Sequence, residues 1–531
     1  MVEIIIVSLV GVALIALTIL SQAELWQRKE YRFDRMLAFV QSDEWMQSFI
    51  WLLLAIVILS NAGWYAFFIG SPLAEPIGWL LLSVLAFFHV QRTATRGLFR
   101  PRLTAKSALL VTAMGVVAVA MVSFTYVPYV VAPLQWATLV WLMPVVAAPC
   151  VWLVNALTGV RKKQIINRAK QVRKKLTDLS VIGITGSYGK TSTKYFLAQI
   201  LSSAKCRYMV TDEHRNSELA VAQDMLNSLT NKTDIYVVEM GAYRVGEIDA
   251  LVQLTKPSVG IVTAIGNQHV ALFGSRQQLA KAKWELVRGL PKDGTAILNA
   301  DDETVSRLGA KVSKNVLWYS SQRKADVYVT RLEIKGCSFT GTFYIGGLRK
   351  RVTVPLASEA MLSSVLAAMA GARALGVSAK DVFTALSDLK PMAQTMEVRS
   401  GKKGSVVIDD SYSANEFGMV TALNHLKRFD GNKLVVMVPI IELGTESRRV
   451  HERIGRALSE TDAQIFVYGT AYSEAIKKGL GKKQPADKVM FFSQPDELIG
   501  RVKESVEPGT TILLEGRLPS VVRQELLALA R

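Results

Sequence analysis

The chain has 531 residues, half of them hydrophobic, and a formal charge of +19, a length that holds two to four domains. So basic a total raises nucleic acid as a partner, but its distribution argues against one. Residues 1–160 carry nine basic and seven acidic groups, whereas residues 161–175 carry eight basic groups and no acidic one, directly after an apolar run, so an anionic lipid leaflet is the simpler partner. Cys150, Cys206 and Cys337 are too widely spaced for a zinc site or a disulfide scaffold and fit a reducing compartment.

The first 160 residues read as a membrane domain of about five helices. No Lys or Arg lies between Arg35 and Arg92, or between Lys106 and Arg161. Crossing the hydrocarbon takes about 20 apolar residues, and the apolar runs fall at about 3–20, 48–69, 77–91, 107–127 and 134–158. The third is short and starts near Pro76, as a tilted or re-entrant segment does; the last two are separated by a turn around Pro128 and Pro133. Trp64, Tyr65, Trp79, Tyr126, Tyr129 and Trp136 sit near run ends, where interfacial aromatics collect. Basic residues follow runs one, three and five, and none follows two or four. This alternation puts the N-terminus outside and everything after residue 160 in the cytosol, at the cytoplasmic membrane. A cleaved signal peptide fits poorly, because the basic residues follow the first apolar run. Scarce ionisable groups argue against a transporter, leaving an anchor or a bundle that holds a lipid-linked substrate or a membrane partner. Residues 161–179 form a basic juxtamembrane linker. Within it, residues 161–175 read as a surface helix on an anionic leaflet or as a simple stop signal.

From Val181 onward short β-rich runs alternate with helical stretches, the pattern of an α/β domain. Val181–Thr185 reads as a buried strand and Thr191–Leu201 as a helix, with Gly186-Ser187-Tyr188-Gly189-Lys190-Thr191-Ser192 between and into them. Glycines let backbone N–H groups close on phosphate oxygens at a helix N-terminus. Lys190 would neutralise the β/γ oxygens of ATP, and the Thr191 hydroxyl would ligate Mg²⁺. The spacing is not that of the full P-loop, since Ile184 stands five before Gly189. An ordinary strand-to-helix turn is the bland alternative.

The segment Thr-Gly-x-x-Gly-Lys-Thr-Ser-Thr resembles the nucleotide loop of the Mur ligase family, which joins amino acids to peptidoglycan precursors. Further matches follow in the family's order. Val237–Ala242 resembles the strand whose glutamate, Glu239 here, binds magnesium. Ala264–His269 resembles the Asn-x-x-His segment, with His269 as a metal ligand. Ala280–Glu285 resembles the segment with a carbamylated lysine, in register with Lys283. Ile297–Asp302 resembles the strand end near adenine, with Asn299 as its contact. Ile408–Asn415, with Asp410 toward the ribose, and Glu442–Ser447 are most similar to the D-alanyl-D-alanine-adding branch, MurF.

The resemblance covers about residues 181–531. It implies a P-loop central domain over 180–394 and a Rossmann-like C-terminal domain over 395–531, which close on each other. It also implies two cations, one on Thr191 and Glu239 and one on His269 and the Lys283 carbamate. These are oxygen ligands suited to Mg²⁺, while the softer histidine also suits Mn²⁺. The chemistry implied is activation of a carboxylate as an acyl phosphate, then attack by the amine of an amino acid or dipeptide. The catalytic set would be Lys190, Glu239, His269 and Lys283.

Five departures accompany the match. A membrane segment stands in place of the uridine-nucleotide-binding domain. Gln394-Thr395 replaces a Gly-Arg at the domain junction, and Ala360-Met361 replaces a His-Asn pair before the long helix. Glu515-Gly516-Arg517 replaces a Lys-Gly-Ser-Arg type segment, and Asn216-Ser217 keeps half of an Asn-Asn pair. Three readings stay open: a membrane-anchored ligase of an envelope precursor, lipid-linked or not; a ligase for a polyglutamate-like envelope polymer; and an ATP-binding scaffold that no longer ligates.

Overall fold

The computed structural model describes residues 2–40, 56, 58–96, 101–124, 132–266, 273–335, 338–356, 359–401, 404–412, 414–440, 443, 446–481 and 488–529. They form two compact units, Met1–Gln164 and Ile165–Arg531.

In the first unit, helices run over Val2–Arg28, Phe33–Val40, 58–68, Ala74–Arg96 and Ala105–Phe124, and a sixth, Ala132–Lys175, begins here. By length and composition three can cross a membrane: Ile5–Arg28, Ala105–Ser123 and Ala132–Lys175; Ala74–Val90 is a shorter apolar helix. Of the five apolar runs, the first, fourth and fifth thus become long helices, and the third is helical but short. Residues 48–55 of the second run lie outside the described residues, as do Tyr126, Pro128 and Tyr129. Phe33–Val40 is a helix that the apolar runs do not contain. Glycines let these helices approach closely. A Cβ on Gly78 would lie 2.5 Å from the Leu134 backbone nitrogen, and one on Gly11 would lie 2.2 Å from the Trp136 ring. Trp64 Nε1 donates to Thr138 Oγ1 at 3.1 Å, satisfying two polar groups among apolar neighbours. Leu9, Phe68, Val116 and Trp152 point outward and are exposed, as on helices that are apolar all round.

The second unit holds two sheets. The first has nine strands in the order β2-β3-β1-β4-β5-β6-β7-β8-β9. Its strands are β1 (Ser180–Thr185), β2 (Tyr208–Val210), β3 (Ile235–Glu239), β4 (Val259–Val262), β5 (Thr295–Asn299), β6 (Asn315–Ser320), β7 (Val327–Lys335), β8 (Ser338–Ile345) and β9 (Leu348–Val354). Strands β1 to β6 pair in parallel, and β7, β8 and β9 add antiparallel hairpins. Helices cover the parallel part, so β3 and β4 are buried throughout and β1 from Val181 onward, and all three are rich in Val and Ile. The long helix Glu359–Ala374 packs Val365, Leu366 and Met369 into the same core as Ile182, Ile184 and Ile261. Ala360 and Met361 lie inside its first turn rather than before it.

The second sheet has six strands in the order β10-β11-β15-β12-β13-β14. They are β10 (Glu397–Ser400), β11 (Val406–Asp410), β12 (Lys433–Met437), β13 (Gln464–Tyr468), β14 (Val489–Phe492) and β15 (Thr511–Glu515). All pair in parallel except the edge strand β10. Alternation of strand and helix makes this half doubly wound, as the sequence pattern requires. In such sheets ligands gather beyond the carboxyl ends of the strands. Thr185, Glu239 and Asn299 close β1, β3 and β5, and Asp410 and Glu515 close β11 and β15.

Candidate active site

The helix Lys190–Ser203 begins directly after the glycine-rich loop, and its first turn lacks acidic residues, which suits an anion at that end. Gly186 has φ 151°, and a Cβ there would meet Thr263 Oγ1 at 1.9 Å, so the loop passes against the end of β4 with no room for a side chain. Gly189, at φ 80°, precedes the helix in the left-handed region. Ser187 N donates to Ala264 O at 2.8 Å, and Ser187 Oγ accepts from Gly266 N at 3.1 Å, tying the loop to the segment after β4. Lys190 Nζ curls back to donate to Gly186 O at 2.8 Å and Ser187 O at 3.4 Å. Burial lowers its pKa, opposed by Glu239. Thr191 and Ser192 occupy the first turn, half-buried.

Glu239 is 3% exposed. Asn216 Nδ2 donates to its Oε1 at 3.1 Å, and Lys194 Nζ lies 3.2 Å from its Oε2. Burial by itself raises the Glu239 pKa; Lys194, Lys190 and Asn216 more than offset this and hold the carboxyl below its ordinary value. Apart from the Lys194 ammonium, Oε2 has no partner among the described residues. A buried, ionised oxygen with spare lone pairs beside a phosphate loop fits a hard divalent cation. Lys194, also buried, donates to Thr211 O at 2.8 Å and Asp212 O at 3.3 Å.

Lys283 comes from the helix Arg276–Gly289 and is 2% exposed. Burial, reinforced by Lys190, pulls its amine down to about 7 against the opposing pull of Glu247, Glu239 and Glu285. Glu285 is occupied elsewhere: its oxygens accept from Gly246 N at 2.7 Å and Asp249 N at 2.9 Å, closing the start of the helix Glu247–Thr255.

The remaining predicted residues fare differently. Asn299 is buried with its amide held at both ends: Nδ2 donates to Thr263 O at 2.8 Å and Oδ1 accepts from Asp301 N at 2.9 Å. In this arrangement it braces the ends of β4 and β5. Asp410 accepts from Met396 N at 3.1 Å and stands in register with Glu515 on the neighbouring strand. Burial pushes both carboxyls up; Asp410 raises Glu515 further, while the hydrogen bond from Glu515 draws Asp410 partly back, so the pair holds a proton between them. The adjacent Asp409 is structural, gripped by Arg523 Nη2 at 2.7 Å and by Ser411 Oγ at 2.5 Å. His269, with Asn267 and Gln268, lies outside the described residues, as do Ser413, Glu442, Gly444 and Thr445.

Two stacked ring pairs join the central half to the C-terminal half. Tyr188 of the loop stacks on Phe417 at 5.3 Å, and His214 stacks on Tyr412 at 5.5 Å. Burial, followed by Asp302, pushes the Tyr188 phenol up to about 12. Sequence reasoning did not single out Lys194, or the part played by Asn216. The signal for Lys194 was its place one helical turn after Lys190, on the same face. For Asn216 it was the neighbouring Gly241, where a Cβ would lie 2.7 Å from the Asn216 amide carbon.

Two family models match: Mur ligase middle domain over residues 184–372, and Mur ligase, glutamate ligase domain over residues 396–518. The UDP-N-acetylmuramoyl-tripeptide–D-alanyl-D-alanine ligase of Mycobacterium bovis is 30% identical over 355 residues, 62% of this chain and 69% of that protein. Its Bacillus subtilis counterpart is 29% identical over 339 residues, 63% and 72% of the two chains. Among solved structures, MurF from Acinetobacter baumannii superposes with a TM-score of 0.63 at 28% identity, covering 70% of this chain and 80% of that one. The chain belongs to the Mur ligase family, close to MurF in sequence and fold, and is an ATP-dependent ligase.

Proposed function

We propose that the chain is a membrane-anchored MurF-type ligase of the cytoplasmic membrane, with its ligase half in the cytosol, acting in peptidoglycan precursor synthesis. The observation that carries the ligase reading is Glu239: a buried carboxylate kept ionised, whose Oε2 meets only the Lys194 ammonium among the described residues, near Lys190 and Lys283. The anchor is supported by the three long apolar helices and by the alternation of basic loops. Relatives named for UDP-N-acetylmuramoyl-tripeptide and D-alanyl-D-alanine support a muramoyl-peptide acceptor and a dipeptide donor. The membrane helices support an acceptor that is lipid-linked.

In this reading the Gly186–Thr191 amides and Lys190 hold the polyphosphate, Lys190 leaving the Gly186 and Ser187 carbonyls for phosphate oxygens. An acceptor carboxylate oxygen attacks the γ-phosphorus as ADP leaves. The donor amine then adds to the acyl carbon, loses a proton, and expels phosphate. Thr191, Glu239, His269 and a carbamate on Lys283 would hold Mg²⁺, which would supply charge neutralisation for both steps. The Lys283 amine, pulled down to about 7, is partly neutral at physiological pH and so able to add to CO₂. Asn299 would reach adenine and Asp410 the ribose only by exchanging their present partners.

The test is ADP release by the full-length chain with UDP-linked and lipid-linked muramoyl tripeptides, each with D-alanyl-D-alanine, and Lys190→Ala as control. Release with either acceptor supports ligation and identifies the acceptor. ATP binding without release for any acceptor returns the scaffold reading. That reading has one observation in its favour: Thr395, at the place of the family's junction Arg, has a buried hydroxyl without a partner among the described residues.

A further inference from the structure

We propose that Lys194 bars divalent cations from the site until a nucleotide is bound, so that metal and nucleotide load cooperatively. The proposal rests on the reading of Glu239 as a metal ligand. It concerns a residue to which that reading gives no part.

Three observations lead to it. First, Lys194 Nζ is anchored independently of Glu239, by Thr211 O at 2.8 Å and Asp212 O at 3.3 Å, at the end of a buried side chain. These neutral carbonyls keep the ammonium in place whatever Glu239 does. Second, the ammonium lies 3.2 Å from Glu239 Oε2, the oxygen left for a metal, while Asn216 fixes Oε1. Third, Lys190 also acts on Glu239 from the loop side. One carboxylate is therefore faced by two cations, of which Lys194 is the fixed one. The other acidic groups near Lys283 do not restore the balance. Both Glu285 oxygens accept backbone N–H bonds, and Glu247 accepts from Tyr243 N at 2.8 Å and pairs with Arg244 at 3.1 Å.

Before Lys283 is carbamylated, a divalent ion arriving alone meets a net positive enclosure. At an effective dielectric of about 20, one fixed unit charge roughly 5 Å away weakens a divalent ion by well over tenfold. Arrival of a polyphosphate reverses the sign. Lys190 has only loop carbonyls to give up, the polyphosphate oxygens bring several negative charges, and Glu239 would then hold a metal in a net negative site. Lys194 need not leave; it is outweighed. The helix therefore carries two lysines one turn apart with different tasks, Lys190 to bind the anion and Lys194 to make the metal depend on it.

The experiment uses the full-length chain in detergent. Mn²⁺ binding is followed by loss of the free-ion electron paramagnetic resonance signal, with and without ADP, after allowance for Mn²⁺–ADP in solution. The native chain should bind Mn²⁺ alone at least about tenfold more weakly than with ADP. Lys194→Met, a similar shape without charge, should tighten binding of Mn²⁺ alone by about tenfold or more and shrink the coupling by the same factor. Lys194→Arg, keeping the charge, should retain the native coupling. By linkage, ADP affinity measured with and without Mn²⁺ must give the same factor. A lysine that only pins residues 211–212 would lower stability and both affinities together while leaving the coupling at its native value, and that result overturns the proposal. Equal Mn²⁺ affinity with and without ADP in the native chain overturns it as well. No Mn²⁺ binding even with ADP removes the metal reading of Glu239 itself, a failure distinguishable from an unchanged coupling.

Discussion

The contact between Asn216 and Glu239 can be removed from either end, and the two removals should be equivalent. Asn216→Ala deletes the donor that holds Glu239 Oε1 at 3.1 Å. Gly241→Ala deletes nothing, but its new methyl would lie 2.7 Å from both Cγ and Oδ1 of Asn216 and 3.0 Å from Nδ2. Gly241 N also donates to Asn216 O at 3.0 Å, so the Asn216 backbone is held and the amide must swing away. A hydrogen bond to a charged group is worth about 1.5–3 kcal/mol, and about 1.4 kcal/mol corresponds to a factor of ten. Each single variant should therefore lose about ten- to a hundredfold in kcat/KM at limiting Mg²⁺. Because both act through one contact, the double variant should lose little more than either single one. The assay is ADP release across a Mg²⁺ titration for the four proteins of the cycle. Losses that multiply in the double variant would refute a shared route through Glu239.

Three further outcomes follow from the same geometry. Asp410 and Glu515 both titrate above the usual carboxylate range when folded, so between about pH 4 and neutrality the folded chain holds more protons than the unfolded one, and stability falls as pH rises through that window. Glu515→Gln should accordingly raise the thermal midpoint of the C-terminal half at pH 8 and leave it nearly unchanged at pH 4; a lowered midpoint at pH 8 would contradict the shared proton. Arg523→Met leaves the fully buried Asp409 without its guanidinium, and denaturation should register a loss of about 3 kcal/mol or more. Phe417→Ala removes one stacked pair between the two halves, worth about 1 kcal/mol. Hydrogen exchange at the phosphate loop should quicken about fivefold, a factor set by that energy.

Most of the ligase half was legible because its signals are local. Strand β1, the glycine-rich loop and the helix Lys190–Ser203 follow one another without interruption, and each has its own pattern: a Val/Ile run, glycines where φ turns positive, then helical spacing. Glu239 and Asn299 could be placed at strand ends for the same reason. What those side chains touch was not legible, since it depends on chain segments far apart in sequence. Asn299 turns to Thr263, 36 residues away, and Asp410 meets Glu515 across a strand pairing that no local pattern announces. Lys194 belongs to no motif, and the carbonyls that hold its buried ammonium, those of Thr211 and Asp212, come from the segment after β2. In the first unit, apolar runs marked three long helices, yet the short helix Phe33–Val40 escaped because its mixed composition carries no such run.

The two sheets end in carboxylates treated in opposite ways, and the contrast bears on what each edge can bind. At the edge of the first sheet burial acts on Glu239 too, but two lysines and an amide outweigh it, and the group stays ionised. At the edge of the second sheet Asp410 has a backbone N–H and a neighbouring carboxyl, with no cation among the groups that shift it, so burial prevails and protons are retained. At the second edge, therefore, the full charge written into the sequence is not displayed at neutral pH. The first edge presents an ionised ligand beside ammonium groups, an arrangement for a metal and a polyphosphate together. The second presents a hydrogen-bond donor as well as acceptors, which suits hydroxyls better than a second metal ion. A ribose beside Asp410 is consistent with that chemistry, and Glu515→Lys, by supplying the missing cation, should ionise Asp410 and lower the pH at which nucleotide affinity changes. A nucleotide affinity whose pH profile is the same in Glu515→Lys as in the native chain would separate Asp410 from the ribose.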